Sequence, residues 1–152
     1  MPDDTRPILI AYDGSDNAKH AIRVAAALLD RGPAQVVHAW EPLSSASSRL
    51  AVYAFMANAG NEELEYEREQ AEAKAEEGAA LARNAGFDAV GIAVGGLGPS
   101  WSILYEYVNE ERPRLVVMGT RGLTGLRGVL SGSVSHGVTV HSHVPVLVVP
   151  PE

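Results

Sequence analysis

A glycine-rich stretch, residues 119–132 with the sequence GTRGLTGLRGVLSG, is the part of the chain best suited to holding an anion. Glycine lets the backbone turn several N–H groups toward one ligand. A helix predicted to begin at Ser133 would add free N–H donors and partial positive charge. Ser135 offers a further hydroxyl, and Arg121 and Arg127 offer positive charge. Composition alone supports a phosphate site and a flexible connection with a helix cap about equally.

A second polar segment, Asp13-Gly14-Ser15, directly follows the first apolar run of the chain, residues 8–12. In open α/β sheets, ligands bind beyond the carboxyl ends of the strands, where the strand order reverses. If the first and fourth strands are neighbours, this segment and the glycine-rich stretch meet in one crevice. The local pattern leaves that adjacency open.

The elements that would position these segments alternate between strand and helix. Strands are predicted over residues 8–12, 34–40, 89–94, 115–118 and 144–149, and helices over 16–29, 62–84, 100–109 and 133–141. The strands are continuously apolar, which is typical of a parallel sheet covered on both faces. Residues 43–60 have no clear pattern. With neither a repeat nor a linker, we expect a single domain over residues 1–152.

The spacing of the glycine-rich stretch is more informative than its composition. Gly119, Gly122, Gly132 and Ser133 fit G-x2-G-x9-G-[ST], which resembles the ATP-binding motif of the universal stress protein family. The opening ILIAYDGSDNAKHAI, the segment VVHAWEP and the ending HSHVPVLVVP are similar to that family's first, second and last strands. The resemblance covers nearly the whole chain apart from residues 43–60.

This resemblance implies a three-layer α/β sandwich of the adenine nucleotide alpha hydrolase-like type. Its five-stranded parallel sheet would have the order 3-2-1-4-5, which makes the first and fourth strands neighbours. The implied function is a nucleotide-dependent stress-response regulator that binds ATP with Mg²⁺. The implied assembly is a homodimer through the last strand, Val144 to Val149.

The same resemblance assigns the nucleotide-binding residues. Asp13 would lie near the phosphates or near their Mg²⁺, for which it is the candidate ligand. Ala11, Tyr12 and Ala39 would flank the adenine and ribose; Met118, Gly119, Arg121 and Gly122 would line the ribose and phosphates; Gly132, Ser133, Val134 and Ser135 would bind phosphate oxygens.

Other chemistry has weaker support in the sequence. No Lys precedes Ser133, so the loop is not a Walker-type P-loop. No catalytic base can be assigned, which favours a binding protein over an enzyme. A slow ATPase or phosphotransferase on the same site, and an interaction protein that binds no nucleotide, remain the alternatives. His141-Ser142-His143 and His38 are interpreted as structural residues rather than as metal ligands or bases.

Composition narrows the function classes further. The chain has 152 residues, a net charge of -7 and no cysteine. Disulfides and thiolate chemistry are therefore excluded, and the acidic balance argues against nucleic acid or an anionic membrane as partner. The N-terminus lacks the basic start and apolar stretch of a signal peptide, so we expect a cytoplasmic protein.

Overall fold

Five parallel strands form one sheet in a computed structural model that describes residues 5–42, 62–120, 138 and 142–152. The elements are β1 (Ile8–Ala11), α1 (Asp16–Leu28), β2 (Pro33–Trp40), α2 (Glu62–Asn84), β3 (Asp88–Gly95), α3 (Ser100–Glu111), β4 (Leu115–Gly119) and β5 (Val146–Val149). The sheet order is β3-β2-β1-β4-β5. The fold class and the strand order expected from the family resemblance are thus confirmed.

Strand β1 is central, and its register fixes both neighbours. Ile8 is level with Ala34 on β2 and with Leu115 on β4. All four residues of β1 are buried, because helices cover both faces of the sheet at this strand. Ile8 and Ile10 pack with residues of α1 and α2, whereas Leu9 packs on the face covered by α3.

Helix α2 has the bounds that the sequence pattern predicts, and it packs closely on the sheet. Its buried stripe consists almost entirely of small residues: Leu64, Ala71, Ala75, Gly78, Ala79 and Ala82. A Cβ added to Gly78 would lie 2.6 Å from the Tyr12 ring, and one added to Gly91 of β3 would lie 2.8 Å from the backbone of Ala75. Two glycines, one on each element, therefore permit the close contact.

The other predicted bounds shift by a few residues. β2 and β3 extend beyond their predicted ends, because Pro33 is paired with Asp88 and Trp40 with Gly95. β5 begins at Val146, two residues later than predicted. Gly86 ends α2 as expected, with a φ of +106° that suits glycine.

Most of the helix predicted over 133–141 lies outside the described residues, as does the stretch 43–60, for which no element was predicted. Within the predicted helix, Val138 is helical and fully buried against the α3 side of the sheet. None of the helices in the described ranges is both long and apolar enough to cross a membrane.

Candidate functional site

The carboxyl ends of β1 and β4 lie side by side at one edge of the sheet. Ile10 is level with Val117, and the next residues along the two strands are Ala11 and Met118. Ala11, Met118 and Ala39 of β2 belong to one buried cluster on the α3 face. The structure thus brings together three of the residues predicted to bind the nucleotide, and it does so where the strand order reverses.

The Asp13-Gly14-Ser15 turn carries the chain from β1 into α1. The Asp13 carboxylate accepts a hydrogen bond from the Ser15 N–H at 2.9 Å, and the Ser15 hydroxyl oxygen accepts one from the Ala18 N–H at 3.1 Å. Ser15 is therefore the helix cap, and Asp13 lies two residues before it. Gly14 has a φ of +82°, a conformation that disfavours any residue with a Cβ.

A lysine of α2 reaches this turn from the other side. A Cβ added to Gly14 would lie 2.9 Å from Nζ and 3.0 Å from Cδ of Lys74, so the Lys74 side chain lies directly across the glycine. Its ammonium group is 3.8 Å from a carboxylate oxygen of Glu77. Sequence reasoning missed Lys74, because a lone lysine among glutamates has the pattern of a solvated helix face.

Tyr12 faces α2 rather than the α3 side of the sheet. Its ring is fully buried, and its hydroxyl donates to Glu77 Oε1 at 2.5 Å. Its backbone N–H donates to the Val37 carbonyl, and its own carbonyl accepts from His38 Nδ1, both at 2.9 Å. Its place beside the adenine and ribose stays a prediction, and the side chain is already enclosed by core contacts.

Burial and hydrogen bonding determine the charge states of Tyr12, Glu77 and His38. Burial, followed by the bond to the Glu77 carboxylate, raises the pKa of Tyr12 well above its ordinary value. The same bond lowers the pKa of Glu77, and burial lowers the pKa of His38. At neutral pH Tyr12 is therefore a protonated donor, Glu77 a carboxylate and His38 an uncharged imidazole. His38 behaves as the hydrogen-bonded structural residue that the sequence suggested.

Gly119 stands where the glycine-rich stretch leaves β4, and its neighbour is a buried asparagine of α1. A Cβ added to Gly119 would lie 2.5 Å from Oδ1 of Asn17, whose Nδ2 donates to the Val149 carbonyl at 3.3 Å. The Thr120 N–H donates to that carbonyl as well, at 3.1 Å. Asn17 therefore joins the first turn of α1 to the ends of β4 and β5, a role that no sequence pattern signalled.

The remaining predicted contacts lie outside the described residues: Arg121, Gly122, Gly132, Ser133, Val134 and Ser135. The described side chains contain no group of three or more His, Cys, Asp or Glu residues that could hold a metal ion. Asp13 as a ligand of nucleotide-bound Mg²⁺ stays a prediction.

Comparison with known proteins identifies the family. The model of the Universal stress protein family matches residues 4–150. The chain belongs to that family. A relative from Thermus aquaticus, named "Universal stress protein in QAH/OAS sulfhydrylase 3'region", is 36% identical over 147 residues, which cover 95% of this chain and 98% of the relative.

Two solved structures share the architecture of this universal stress protein. The hypothetical protein MJ0577, solved as a test case of structural genomics, superposes with a TM-score of 0.70 and 25% identity, covering 97% of each chain. A universal stress protein crystallised in complex with cAMP superposes with a TM-score of 0.60 and 27% identity, covering 95% of this chain and 96% of its own.

The Tyr12–Glu77 bond should stabilise this universal stress protein in a pH-dependent way. Tyr12→Phe should lower the free energy of unfolding by about 1 kcal/mol at neutral pH, a modest value because the Glu77 side chain is 45% exposed. The bond lowers the pKa of Glu77 in the folded state, so its contribution is present above the ordinary carboxyl pKa and fades as the pH falls through the folded value. Urea unfolding at neutral pH and at about pH 3.5 measures the difference.

Tyr107→Phe is the matched control for this measurement. The Tyr107 hydroxyl donates to the uncharged Gln35 amide oxygen at 3.4 Å. Its effect should therefore be the same at both pH values. A Tyr12→Phe effect that is equally independent of pH would contradict a charge-assisted bond.

Proposed function

We propose that this universal stress protein binds ATP, as the Mg²⁺ complex, in the crevice above β1 and β4, and that it acts as a nucleotide-dependent stress-response regulator. The observation that carries the proposal is the reversal of strand order at β1. It brings the Asp13 turn and the start of the glycine-rich stretch at Gly119 to one edge of the sheet. The apolar residues Ala11, Ala39 and Met118 would form the adenine side of the crevice.

A relative supports an adenine nucleotide as the ligand class. The universal stress protein solved with cAMP shares 27% identity with this chain over 95% of its length. The G-x2-G-x9-G-S spacing adds support for a ligand with several phosphates, because such a loop offers many N–H donors. Release of the bound nucleotide by denaturing freshly purified protein, followed by its identification by mass, tests the ligand directly.

Charge at the Asp13 turn supports a magnesium-bound polyphosphate. A carboxylate beside phosphates is repulsive unless a cation lies between them. The Lys74 ammonium, which lies across Gly14, adds a positive charge at the same turn. A regulator rather than an enzyme is favoured because neither of the described charged residues at this turn is placed to act as a base: Asp13 would bind the metal, and Lys74 pairs with Glu77 at 3.8 Å. Slow hydrolysis remains the rival function, and steady multiple turnover of ATP would establish it.

The glycine-rich stretch provides the first test of the site. Gly122→Val or Gly132→Val should abolish ATP binding and leave the fold intact, because a branched side chain would block the approach of the backbone to phosphate. Titration calorimetry measures the affinity, and circular dichroism measures the fold.

Gly32→Val is the matched control for both variants. A Cβ added to Gly32 meets nothing within 4 Å, and the residue precedes β2 at the opposite edge of the sheet. ATP affinity should be unchanged in this control. Unchanged affinity in both loop variants would refute the site.

Asp13 provides the second test. Asp13→Ala should weaken the binding of Mg-ATP by roughly tenfold, the loss expected for one charged ligand. Metal-free ATP should bind the variant no more weakly than the wild type, because a repulsive carboxylate has been removed. Calorimetry with Mg²⁺ and with EDTA separates the two cases. Equal losses of affinity with Mg²⁺ and with EDTA would mean that Asp13 serves only to accept the structural hydrogen bond from Ser15.

We propose further that two copies of the chain pair through β5, as the family resemblance suggests. β5 is the edge strand after β4. The Pro145 and Val149 carbonyls accept from β4 or from the residue that follows it. Because parallel strands alternate, the backbone groups of Val146 and Val148 point away from β4, and none of the described strands pairs with them. The side chains of these two valines, however, pack against the core cluster on the α3 face.

The backbone, rather than these side chains, therefore offers the clean test of the dimer. Val148→Pro removes an N–H that points away from β4, so no hydrogen bond to β4 is lost. An edge strand tolerates proline at such a position. The variant should become monomeric in light scattering while it keeps its circular dichroism spectrum. Val146→Glu together with Val148→Glu should unfold the chain instead. A wild type that stays monomeric at high micromolar concentration would refute the dimer.

The cytoplasmic location and the absence of nucleic-acid and membrane partners stay predictions from composition.

A further inference from the structure

A groove lies at the opposite edge of the sheet, where the amino ends of β1, β4 and β5 meet. The Arg114 N–H donates to the Pro7 carbonyl at 3.1 Å, and the Val116 N–H donates to the Pro145 carbonyl at 2.9 Å, so the segments that lead into these strands lie together. The groove encloses about 400 Å³ between these segments and the last turn of α3. This volume lies within the range of small-molecule sites.

Positive charge borders this groove in a chain whose net charge is -7. Arg6 and Arg112 line it, together with the amide of Asn109 and the rings of Tyr105 and His143. None of the described lining residues is an acid. Arg6 also donates from a guanidinium nitrogen to the Arg112 carbonyl at 3.1 Å, which holds the two arginines together although their charges repel.

The backbone of Arg112 is in a conformation that is costly for arginine. It ends α3 with φ 46° and ψ 59°, a left-handed conformation in which its N–H donates to the Val108 carbonyl at 2.9 Å. Glycine is the usual residue at such a helix end, because any Cβ is disfavoured there. Among the described residues Arg112 is the one non-glycine with a positive φ. Strain of this kind is concentrated at functional sites.

We propose that the groove is a second ligand site that takes a phosphate monoester carrying a flat organic group. The planar guanidinium of Arg112 matches two phosphate oxygens, and Asn109 can donate to a third. The Arg6 guanidinium, which already donates to the Arg112 carbonyl, adds positive charge beside them. The Tyr105 ring offers a surface on which a flat group stacks. Because the groove and the nucleotide crevice lie at opposite ends of the same strands, the two sites are separate, and this inference does not depend on the proposed function.

Phenyl phosphate is the probe that tests the groove. Titrated into the ¹⁵N-labelled full chain, it should give saturable shifts, with a Kd in the millimolar range or tighter, at the amides of Asn109, Arg112 and Val144. Inorganic phosphate should shift the same amides and bind more weakly, since it lacks the ring. Equal affinity of the two probes would overturn the stacking on Tyr105 and with it the assignment of a flat group.

Arg112→Gly is the sharpest variant, because glycine keeps the left-handed helix end and removes only the side chain. It should weaken phenyl phosphate by about tenfold or more, the effect of losing a charge-assisted pair. Arg6→Gln should also weaken binding, and it tests the second guanidinium without touching the helix end. Arg23→Gln is the control: it removes the same charge from α1, where Arg23 is 3.3 Å from Glu152, and it should leave the affinity unchanged.

The proposal would also be overturned by shifts that do not saturate, by unchanged affinity in both Arg112→Gly and Arg6→Gln, or by shifts centred on Gly14 and Ser15. Gly132→Val separates this site from the nucleotide crevice. It should leave phenyl phosphate binding intact, and binding that disappears in this variant would assign the probe to the crevice. Loss of ATP binding without loss of phenyl phosphate binding supports both sites independently.

Discussion

Hydrogen bonding on both edges of β1 is the constraint on which the architecture depends. The strand pairs in parallel with β2 on one side and with β4 on the other. The chain moves outward from β1 through β2 to β3, then returns to the other side of β1 to form β4 and β5. The carboxyl ends of β1 and β4 consequently lie side by side where the strand order reverses, which is where ligands bind in open α/β sheets. The amino edge of these strands, by contrast, is bordered by the last turn of α3 and by the segments that enter the sheet.

Tyr12, the first residue after β1, joins the sheet to α2. Its backbone continues the pairing with β2, its carbonyl accepts from His38, and its hydroxyl donates to Glu77. The aromatic ring fills the space above Gly78. One residue thus connects the turn at Asp13 with a helix that comes much later in the chain. The N–H, the carbonyl and the hydroxyl of Tyr12 each have a hydrogen-bond partner, so burial of the residue leaves none of these polar groups unpaired.

Local patterns predicted the elements well, and they predicted long-range contacts poorly. The bounds of α2 followed from its narrow stripe of alanines, while β5 proved shorter than its apolar run because apolarity does not reveal where pairing begins. The strand order came from the family resemblance, since pairing between distant strands leaves no local signal. Sequence patterns missed three contacts for the same reason, because each joins residues far apart in the chain. They are the contacts of Lys74 with Gly14, of Asn17 with Val149 and of Arg6 with Arg112. The position of Asp13 after β1 was predicted because strand and turn are adjacent in sequence.

The missing side chain at Gly78 has a consequence beyond packing. Helix α2 rests directly on the Tyr12 ring, so the thickness of that ring sets the height of the helix above the sheet. Lys74 lies one helical turn before Gly78 on the same helix, and its side chain extends across Gly14. A single methyl group at Gly78 would push helix α2 away from the Tyr12 ring. The Lys74 ammonium group would then move away from the Asp13-Gly14-Ser15 turn. Gly78 would in this way influence the electrostatic potential at the Asp13-Gly14-Ser15 turn, which it does not contact.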